Sequence, residues 1–297
     1  LQMLLDRGEQ NDWFSSTETW IEAIVLAMSL CYFIAHTALR PAGKSFLDYR
    51  LLKNSNYVSG LLFIFIVGII LLATMTLLPP FMQGLMGYPV IDVGYLLAPR
   101  GVGTMFAMML VGRLSGRVDV RILILLGLLL TSFSMWEMTL FNTDISSWDI
   151  VRTGIVQGLG LGFIFVPLST ITFATLAPRY RNEGTALFSL VRNIGSSIGI
   201  SVVITYLAQR TQMNHEVFAS YITPFNAGLQ QGMGTAALVT PKGLAMLNGE
   251  VTRQASLLAY LQDFRLMMWV SLCAIPLVLL LKAPKRGGGK EALAILE

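Results

Sequence analysis

The sequence predicts an all-α polytopic membrane protein, on the basis of its composition, its apolar stretches and the placement of its basic residues. Of the 297 residues, 54% are hydrophobic and only 13% are charged, whereas an ordinary globular protein has about 25% charged residues. Seven apolar stretches are long enough to cross a hydrocarbon layer of about 30 Å, which takes ~20 helical residues. These predicted spans are 19–39, 57–80, 91–112, 122–141, 153–177, 184–207 and 264–282.

The polar connection at 112–121 sets the predicted orientation. Two apolar segments of membrane length flank it, and it carries three arginines. A tight basic connection between two spanning helices stays in the cytoplasm. Alternation then places the N-terminus of this chain outside and its C-terminus in the cytoplasm. The other basic connections, 40–56, 178–183 and the tail after residue 282, fall on the cytoplasmic side as well.

The spans divide the chain into predicted regions. They are an extracytoplasmic segment at 1–18, a first transmembrane helix at 19–39, a cytoplasmic linker at 40–56, a six-helix bundle at 57–282 and a cytoplasmic tail at 283–297. Within the bundle, 209–263 is a long polar connection on the outside. Its glycine-rich first half is typical of a flexible linker. Its second half has an apolar helical face, which fits an interfacial helix, a cover over the bundle mouth or a partner site.

Several function classes lack support in the sequence. The net charge of +4 falls mainly in cytoplasmic connections beside anionic lipid, so it does not indicate nucleic-acid binding. Cys31 and Cys273 lie inside apolar spans and are expected to be small buried hydrophobes, without a disulfide or metal site. No HExxH, GxSxG or phosphate loop occurs, so we expect neither an enzyme nor a cofactor.

Charged and polar residues inside the spans are the candidate site, because an ionised group in lipid is costly unless it is paired or hydrated. Arg100 lies deep in LAPRGVG, where proline and glycines are expected to break the helix; it either lines a cavity or clamps backbone carbonyls. Arg192, with Asn193 beside it, points into the bundle as a packing node or a substrate contact. Gln157 is a weaker substrate candidate.

Other residues fit packing or proton roles. Five glycines lie at a spacing of four, which lets helices approach closely. Glu137, near the outer end of its span, is either solvated at the interface or a proton carrier. Asp92 and Asp119 fit helix N-caps. The packing glycines are Gly154, Gly158 and Gly162 in one span and Gly195 and Gly199 in another.

These segments resemble the C-terminal half of fourteen-helix drug:proton antiporters of the major facilitator superfamily, of the EmrB/QacA type. The resemblance covers nearly the whole chain, in LPPFMQGLMGYP, LAPRGVGTM, VGRLSGRVDVR, QGLGLGFIFVPLSTITFATL and FSLVRNIGSSIGIS, in that order. It implies the C-terminal six-helix bundle of that fold, preceded by one extra central transmembrane helix. The chain, which begins at Leu1 in a polar segment without a signal-peptide pattern, is then expected to be a fragment that lacks the N-terminal half of the transporter.

The resemblance also implies an activity, which is efflux of amphipathic organic compounds driven by the proton gradient across a bacterial inner membrane. A periplasmic adaptor and an outer-membrane channel are implied as partners beside membrane lipid. The connection at 112–121 would act as a latch at the inner face, through Gly112, Arg113, Arg117, Asp119 and Arg121.

The sequence departs from the family pattern at two points. The superfamily places aspartate at the fifth position of the latch, where this chain has Gly116. The acidic residues that family members use for proton coupling lie mainly in the N-terminal half.

Two other classes stay open on the sequence alone, a seven-helix receptor or sensor and a membrane scaffold. Seven spans, an N-terminus outside and a basic cytoplasmic tail would suit the receptor or sensor.

Overall fold

The computed structural model describes residue 4 and residues 13–39, 49–114, 117–223 and 240–281, and every long element in these ranges is an α-helix. We number the α-helices in chain order as α1 Thr17–Leu39, α2 Ser55–Pro80, α3 Val90–Leu114, α4 Val120–Met138, α5 Ser147–Ala174, α6 Arg181–Ser220 and α7 Pro241–Ala274. Among the described residues, six helical segments, which contain α2–α7, are long and apolar enough to cross a membrane. The fold class predicted from the sequence is therefore confirmed.

Five of the helices form a closed ring. In this ring α2 packs on α6, α6 on α7, α7 on α4, α4 on α5, and α5 returns to α2. Helix α3 packs mainly along α5 and leaves most of its other surface exposed. Exposed apolar side chains on α3 include Ile91, Tyr95 and Met105. Such a surface is compatible with contact with lipid or with another helix, both of which are as apolar as the side chains themselves.

Helix starts follow from local capping. Asn54 Oδ1 accepts hydrogen bonds from the backbone N–H groups of Asn56 and Tyr57 at 3.1 and 3.2 Å. Asp119 caps α4 by accepting from Arg121 N at 2.9 Å, as predicted, because a carboxylate satisfies amides that have no partner in the first turn. Asp92 instead lies within the first turn of α3.

The LAPRGVG stretch does not break the helix, so the break predicted there was wrong. Helix α3 runs without interruption from Val90 to Leu114 and contains Pro99. A proline removes one backbone donor, but the neighbouring turns keep their hydrogen bonds and α3 is supported along its length by α5. Arg100 is therefore held by a continuous helix.

In the connection at 209–263, the helix predicted in the second half is present, whereas the extension of α6 beyond residue 207 was not predicted. Helix α6 extends to Ser220 and α7 begins at Pro241, so most of the connection is helical; the glycine-rich 224–239 lies outside the described residues. Asn214 Nδ2 donates to Ala255 O at 3.2 Å, which ties the two extensions together. Hydropathy detects only the apolar part of a helix. Backbone hydrogen bonding continues through the polar residues at its end, so the helix is longer than the predicted span.

The two cysteines also differ from expectation. Cys31 on α1 and Cys273 on α7 are both exposed. Burial inside the protein was the wrong inference from their apolar surroundings, because lipid supplies an apolar environment to the outer surface of a helix.

Candidate functional site

A cavity of ≈ 660 Å³ lies between α2, α3, α5 and α6, and we name it the arginine cavity. Apolar side chains form most of its wall, and Arg100, Thr104 and Arg192 are its polar side chains. The lining residues are Val67, Leu71, Met75, Leu97, Ala98, Arg100, Gly101, Thr104, Met105, Met108, Leu161, Phe165 and Arg192. The structure thus brings together two arginines that are far apart in sequence.

Arg100 is held by the packing of α3 on α5. A Cβ added at Gly158 would overlap the Arg100 carbonyl oxygen, and one at Gly154 would lie 3.8 Å from Arg100 Cβ. Only glycine at 158 lets the two backbones come this close. The Arg100 side chain is 6% exposed, and its Nη2 has no hydrogen-bond partner in the described part of the chain. A buried guanidinium nitrogen is therefore left without a compensating hydrogen bond among the described residues, which is energetically costly.

Arg192 is positioned in the same manner by α6 packing on α2. A Cβ at Gly68 would overlap the Arg192 carbonyl oxygen, and Ser196 Oγ donates to Gly68 O at 3.2 Å. The Arg192 guanidinium carbon lies 5.8 Å from the centroid of the Phe165 ring, within the range of a cation–π interaction. The arginine is thereby held against one apolar wall of the cavity.

The predicted packing glycines lie at these two helix contacts. Beside Gly154 and Gly158, Gly162 of α5 faces Thr104 and Ala107 of α3. On α6, the backbones of Phe65 and Ile69 approach two further glycines. A Cβ at Gly195 or Gly199 would overlap those backbones.

Two predicted cavity residues lie elsewhere. Asn193 is exposed and is not part of the cavity wall. Gln157 is fully buried, with Nε2 3.9 Å from Met135 Sδ on α4 and with Oε1 lacking a partner among the described residues. Gln157 lies on α5 close to Gly154 and Gly158, which contact α3. Its side chain nevertheless points toward α4 and away from the arginine cavity.

Glu137 is paired at the junction of α4 and α5. Arg152 Nη2 donates to Glu137 Oε1 at 2.8 Å, and the side chains are 53% and 12% exposed. Arg152 also lies 3.9 Å from Asp149 Oδ1. Glu137 is therefore not among the cavity residues, and its charge is balanced locally.

The residues of the predicted latch lie at the ends of α3 and α4. Gly112 and Arg113 lie in the last turn of α3, and Arg117 N donates to Leu114 O at 2.8 Å. Asp119 caps α4, and Arg121 Nε is buried without a partner among the described residues. Residues 115 and 116 lie outside the described ranges, so the position of Gly116 in the latch stays a sequence observation.

One buried acid was missed in the sequence. Asp263 on α7 is fully buried, and neither of its carboxylate oxygens has a hydrogen-bond partner in the described residues. Aromatic residues Tyr260 and Phe264 flank it and pack on Phe81. The predicted last span began at 264, so a boundary error of one residue assigned Asp263 to a polar connection. Its position inside LAYLQDFRLMM was the available signal.

The sequence of this chain is similar to those of known proteins along nearly its whole length. The sequence profile of the Major Facilitator Superfamily matches residues 9–200. The chain is 30% identical over 297 residues to the fatty acid resistance protein FarB of Neisseria gonorrhoeae. It is 26% identical over 296 residues to the multidrug export protein EmrB of Escherichia coli K12. Both alignments cover 97% of this chain and 57% of the relative, so the chain spans somewhat over half the length of these proteins. Since the profile covers more than half of the chain, the chain belongs to the Major Facilitator Superfamily.

Proposed function

We propose that this chain is the C-terminal part of a proton-driven multidrug efflux transporter that exports amphipathic organic compounds. The observation that carries this proposal is the arginine cavity. Small-molecule sites are concave, mostly apolar pockets of about 300–1,000 Å³ with a few polar groups, and the cavity of ≈ 660 Å³ fits that description. Arg100 lies ~15 Å along α3 from Val90, at ~1.5 Å per residue. This depth is near the middle of a membrane, where carriers bind their substrates.

The relatives support the same activity. They are named for multidrug export and for fatty acid resistance, and the family assignment favours a transporter over the seven-helix receptor and the scaffold. Because this chain spans 57% of those relatives, we assign the complete activity to a transporter with a second bundle. The proposed mechanism is rocking of the two bundles around the arginine cavity, with 112–121 as the inner-face latch. Residues 1–297 alone are expected not to transport.

The proposed location is the bacterial inner membrane, with the N-terminus of this chain outside and its C-terminus in the cytoplasm. The extensions of α6 and α7 then lie on the periplasmic side. Met213, Val217, Leu244 and Met246 are exposed apolar residues of these extensions, and they are the candidate contacts for a periplasmic adaptor, which would lead to an outer-membrane channel. Serine at all four positions should abolish co-purification of the adaptor. Unchanged co-purification would argue against this partner.

Two acids are candidates for proton coupling. Glu137 is ion-paired with Arg152, whereas Asp263 is buried without a partner in the described part of the chain. A proton carrier must exchange its proton during the cycle, so its neutral amide variant should uncouple export from the pH gradient. Glu137→Gln and Asp263→Asn are compared in proteoliposomes with an imposed gradient. Gradient-driven export by both variants at the wild-type rate would remove both assignments.

The main experiment measures export of an amphipathic dye from cells that carry the full-length transporter. Arg100→Ala and Arg192→Ala should lower the export rate at least tenfold, while the amount of protein in the membrane is unchanged. Arg253→Ala is the matched control, because Arg253 is exposed and pairs with Glu250 at 3.1 Å. Normal export by both cavity variants would refute the cavity as the transport site.

A further inference from the structure

We propose that a groove between α6 and α7 binds an anionic phospholipid of the surrounding membrane, with the head-group phosphate at Arg210 and Arg265 and the acyl chains along the apolar surface next to them. We name it the α6–α7 groove. It has a volume of ≈ 290 Å³ and is lined by Tyr206, Arg210, Gln262, Arg265, Leu266 and Trp269. Helix α7 contributes no described residue to the arginine cavity, so the groove is separate from the proposed substrate site.

The α6–α7 groove is positively charged and accessible. Arg265 is exposed and Arg210 is partly buried. The described lining includes neither aspartate nor glutamate, and neither guanidinium forms an ion pair with a described residue. Asp263, two residues before Arg265, is fully buried inside the bundle. Since a guanidinium keeps its charge and its forked donors match a phosphate, two of them in one small groove suit a phosphate group.

Each arginine stands at the end of an uncharged stretch of its helix. Residues 193–209 of α6 and residues 266–281, which include the last part of α7, contain no charged side chain. At ~1.5 Å per residue each stretch is roughly 25 Å long, which is close to the ~30 Å of a hydrocarbon layer. Because the two arginines line one groove, they lie at the same membrane boundary. That boundary is where lipid phosphates are, and in the orientation proposed above it belongs to the outer leaflet.

The side chains next to the arginines follow the order of chemical groups in a phospholipid. From the polar end inward, each helix has an arginine, an aromatic residue and an apolar residue at a spacing of four, which places the three on one helix face. They are Arg210, Tyr206 and Val202 on α6 and Arg265, Trp269 and Cys273 on α7. Val202, Trp269 and Cys273 are exposed. Aromatic rings favour the head-group boundary, so the order matches phosphate, glycerol backbone and acyl chain.

A cation–π contact holds one of the two arginines at this level. The Arg210 guanidinium carbon lies 4.8 Å from the centroid of the Tyr206 ring, within the range of that interaction. The N–H groups at the edge of the guanidinium are then available to a phosphate. A zwitterionic lipid would bring an additional ammonium group, for which the described lining offers no carboxylate. The groove should therefore prefer a lipid with net negative charge.

The test uses the fluorescence of Trp269, because brominated acyl chains quench a tryptophan that they contact. The full-length transporter is reconstituted in phosphatidylcholine vesicles that contain a rising fraction of brominated phosphatidylglycerol or brominated phosphatidylcholine. The signal of Trp269 is the difference between proteins with and without Trp269→Phe. Half-maximal quenching should need an at least fivefold lower fraction of the glycerol lipid, since one basic residue near anionic lipid contributes about fivefold in affinity.

Variants of the two arginines test their role. With Arg210→Gln and Arg265→Gln together, the two lipids should quench Trp269 within twofold of each other, and Arg265→Gln alone should lower the preference at least twofold. Lysine at both positions keeps the charge and should retain most of the preference. Quenching by brominated phosphatidylcholine that persists in the double glutamine variant would show that Trp269 still faces lipid and that the helices are intact.

Two controls restrict the effect to the groove. Arg253→Gln changes an exposed arginine of α7 that pairs with Glu250 and should leave the preference unchanged. Trp148, an exposed tryptophan of α5, is measured in the same way through Trp148→Phe. It should show no preference between the lipids, because the nearby Arg152 is paired with Glu137.

Three results would overturn the lipid site. They are equal quenching of Trp269 by the two lipids, an unchanged preference in the double glutamine variant, and relief of quenching by inorganic phosphate at constant ionic strength. The last result would indicate a site for a free phosphate ion. None of these results concerns export through the arginine cavity, which the Arg100→Ala and Arg192→Ala variants test separately, so the proposed function would stand.

Discussion

The contact between α3 and α5 leaves no room for an added methyl group at residue 162, and Gly162→Ala tests this. A Cβ at residue 162 would lie 2.5 Å from Ala107 Cβ and 2.8 Å from Thr104 O, whereas ordinary contacts begin at 3.4 Å. Neither atom can rotate away, because one is backbone and the other belongs to the shortest side chain that has a Cβ. The helices must therefore separate by roughly 0.5–1 Å and lose dispersion contacts along their interface.

The expected cost follows from overpacking, which is typically about 1–3 kcal/mol. Alanine also favours the helix over glycine by about 0.8–1 kcal/mol, so a reference variant is needed. Gly94→Ala on α3 has no atom within 4 Å of the added Cβ and gains the helix preference without the overlap. The difference between the two variants isolates the packing effect, since the preference is common to both.

The assay is thermal unfolding of the purified chain in detergent, followed by tryptophan fluorescence. A difference of about 1–3 kcal/mol corresponds to a Tm that is about 2–12 °C lower for Gly162→Ala than for Gly94→Ala, at about 2–4 °C per kcal/mol. Equal melting temperatures, or a higher one for Gly162→Ala, would show that α3 and α5 do not pack at this residue. The arginine cavity, which residues of α3 and α5 line together, would then not have the shape described here.

The remaining predictions concern polar contacts and use the same measurement. Tyr57→Phe removes the buried hydrogen bond from the Tyr57 hydroxyl to Gly184 O at 2.8 Å and should cost about 1–2 kcal/mol, because the carbonyl loses its partner; an unchanged Tm would contradict that bond. Ser271→Ala removes a buried hydroxyl pair of 2.9 Å between α7 and α4 and should cost about 0.5–1.5 kcal/mol, a loss that Ser169→Ala, with its local bond within α5, should not match. Arg152→Gln should cost under about 1 kcal/mol, because the Arg152 side of its pair with Glu137 is 53% exposed and solvent-exposed pairs contribute little; a larger loss would mean that Glu137, which is only 12% exposed, depends on this partner.

Much of the fold could be predicted from the sequence, because lipid places a strict requirement on it. Each crossing needs ~20 apolar residues with all backbone groups bonded internally, and helices α2–α5 start and end within a few residues of the predicted spans, except that α5 begins at Ser147. The ends of α6 and α7 could not be found in this way. Their extensions are polar and are fixed by contacts with each other, such as Asn214 with Ala255.

The candidate site was predictable only in part. Arg100 and Arg192 stood out because a charge inside an apolar span is costly, and both line one cavity. Gln157 and Asn193 had the same polar signal, but their positions around the helix axis point them elsewhere. Asp263 was missed because the predicted last span began one residue after it. The aromatic contacts around this part of α7, such as those of Phe264 with Phe81 and Phe141, come from segments far away in the sequence.

The sequence by itself determined that this protein is helical and spans a membrane, because those properties follow from the count and spacing of apolar residues along one segment at a time. It also determined where close helix contacts are sterically possible, through glycines at a spacing of four. Only the tertiary structure decided which helices meet there, that two distant arginines share a wall without an acid, and that one carboxylate is enclosed. Those features depend on the relative rotation and neighbours of whole helices, which are settled by packing between segments far apart in the chain.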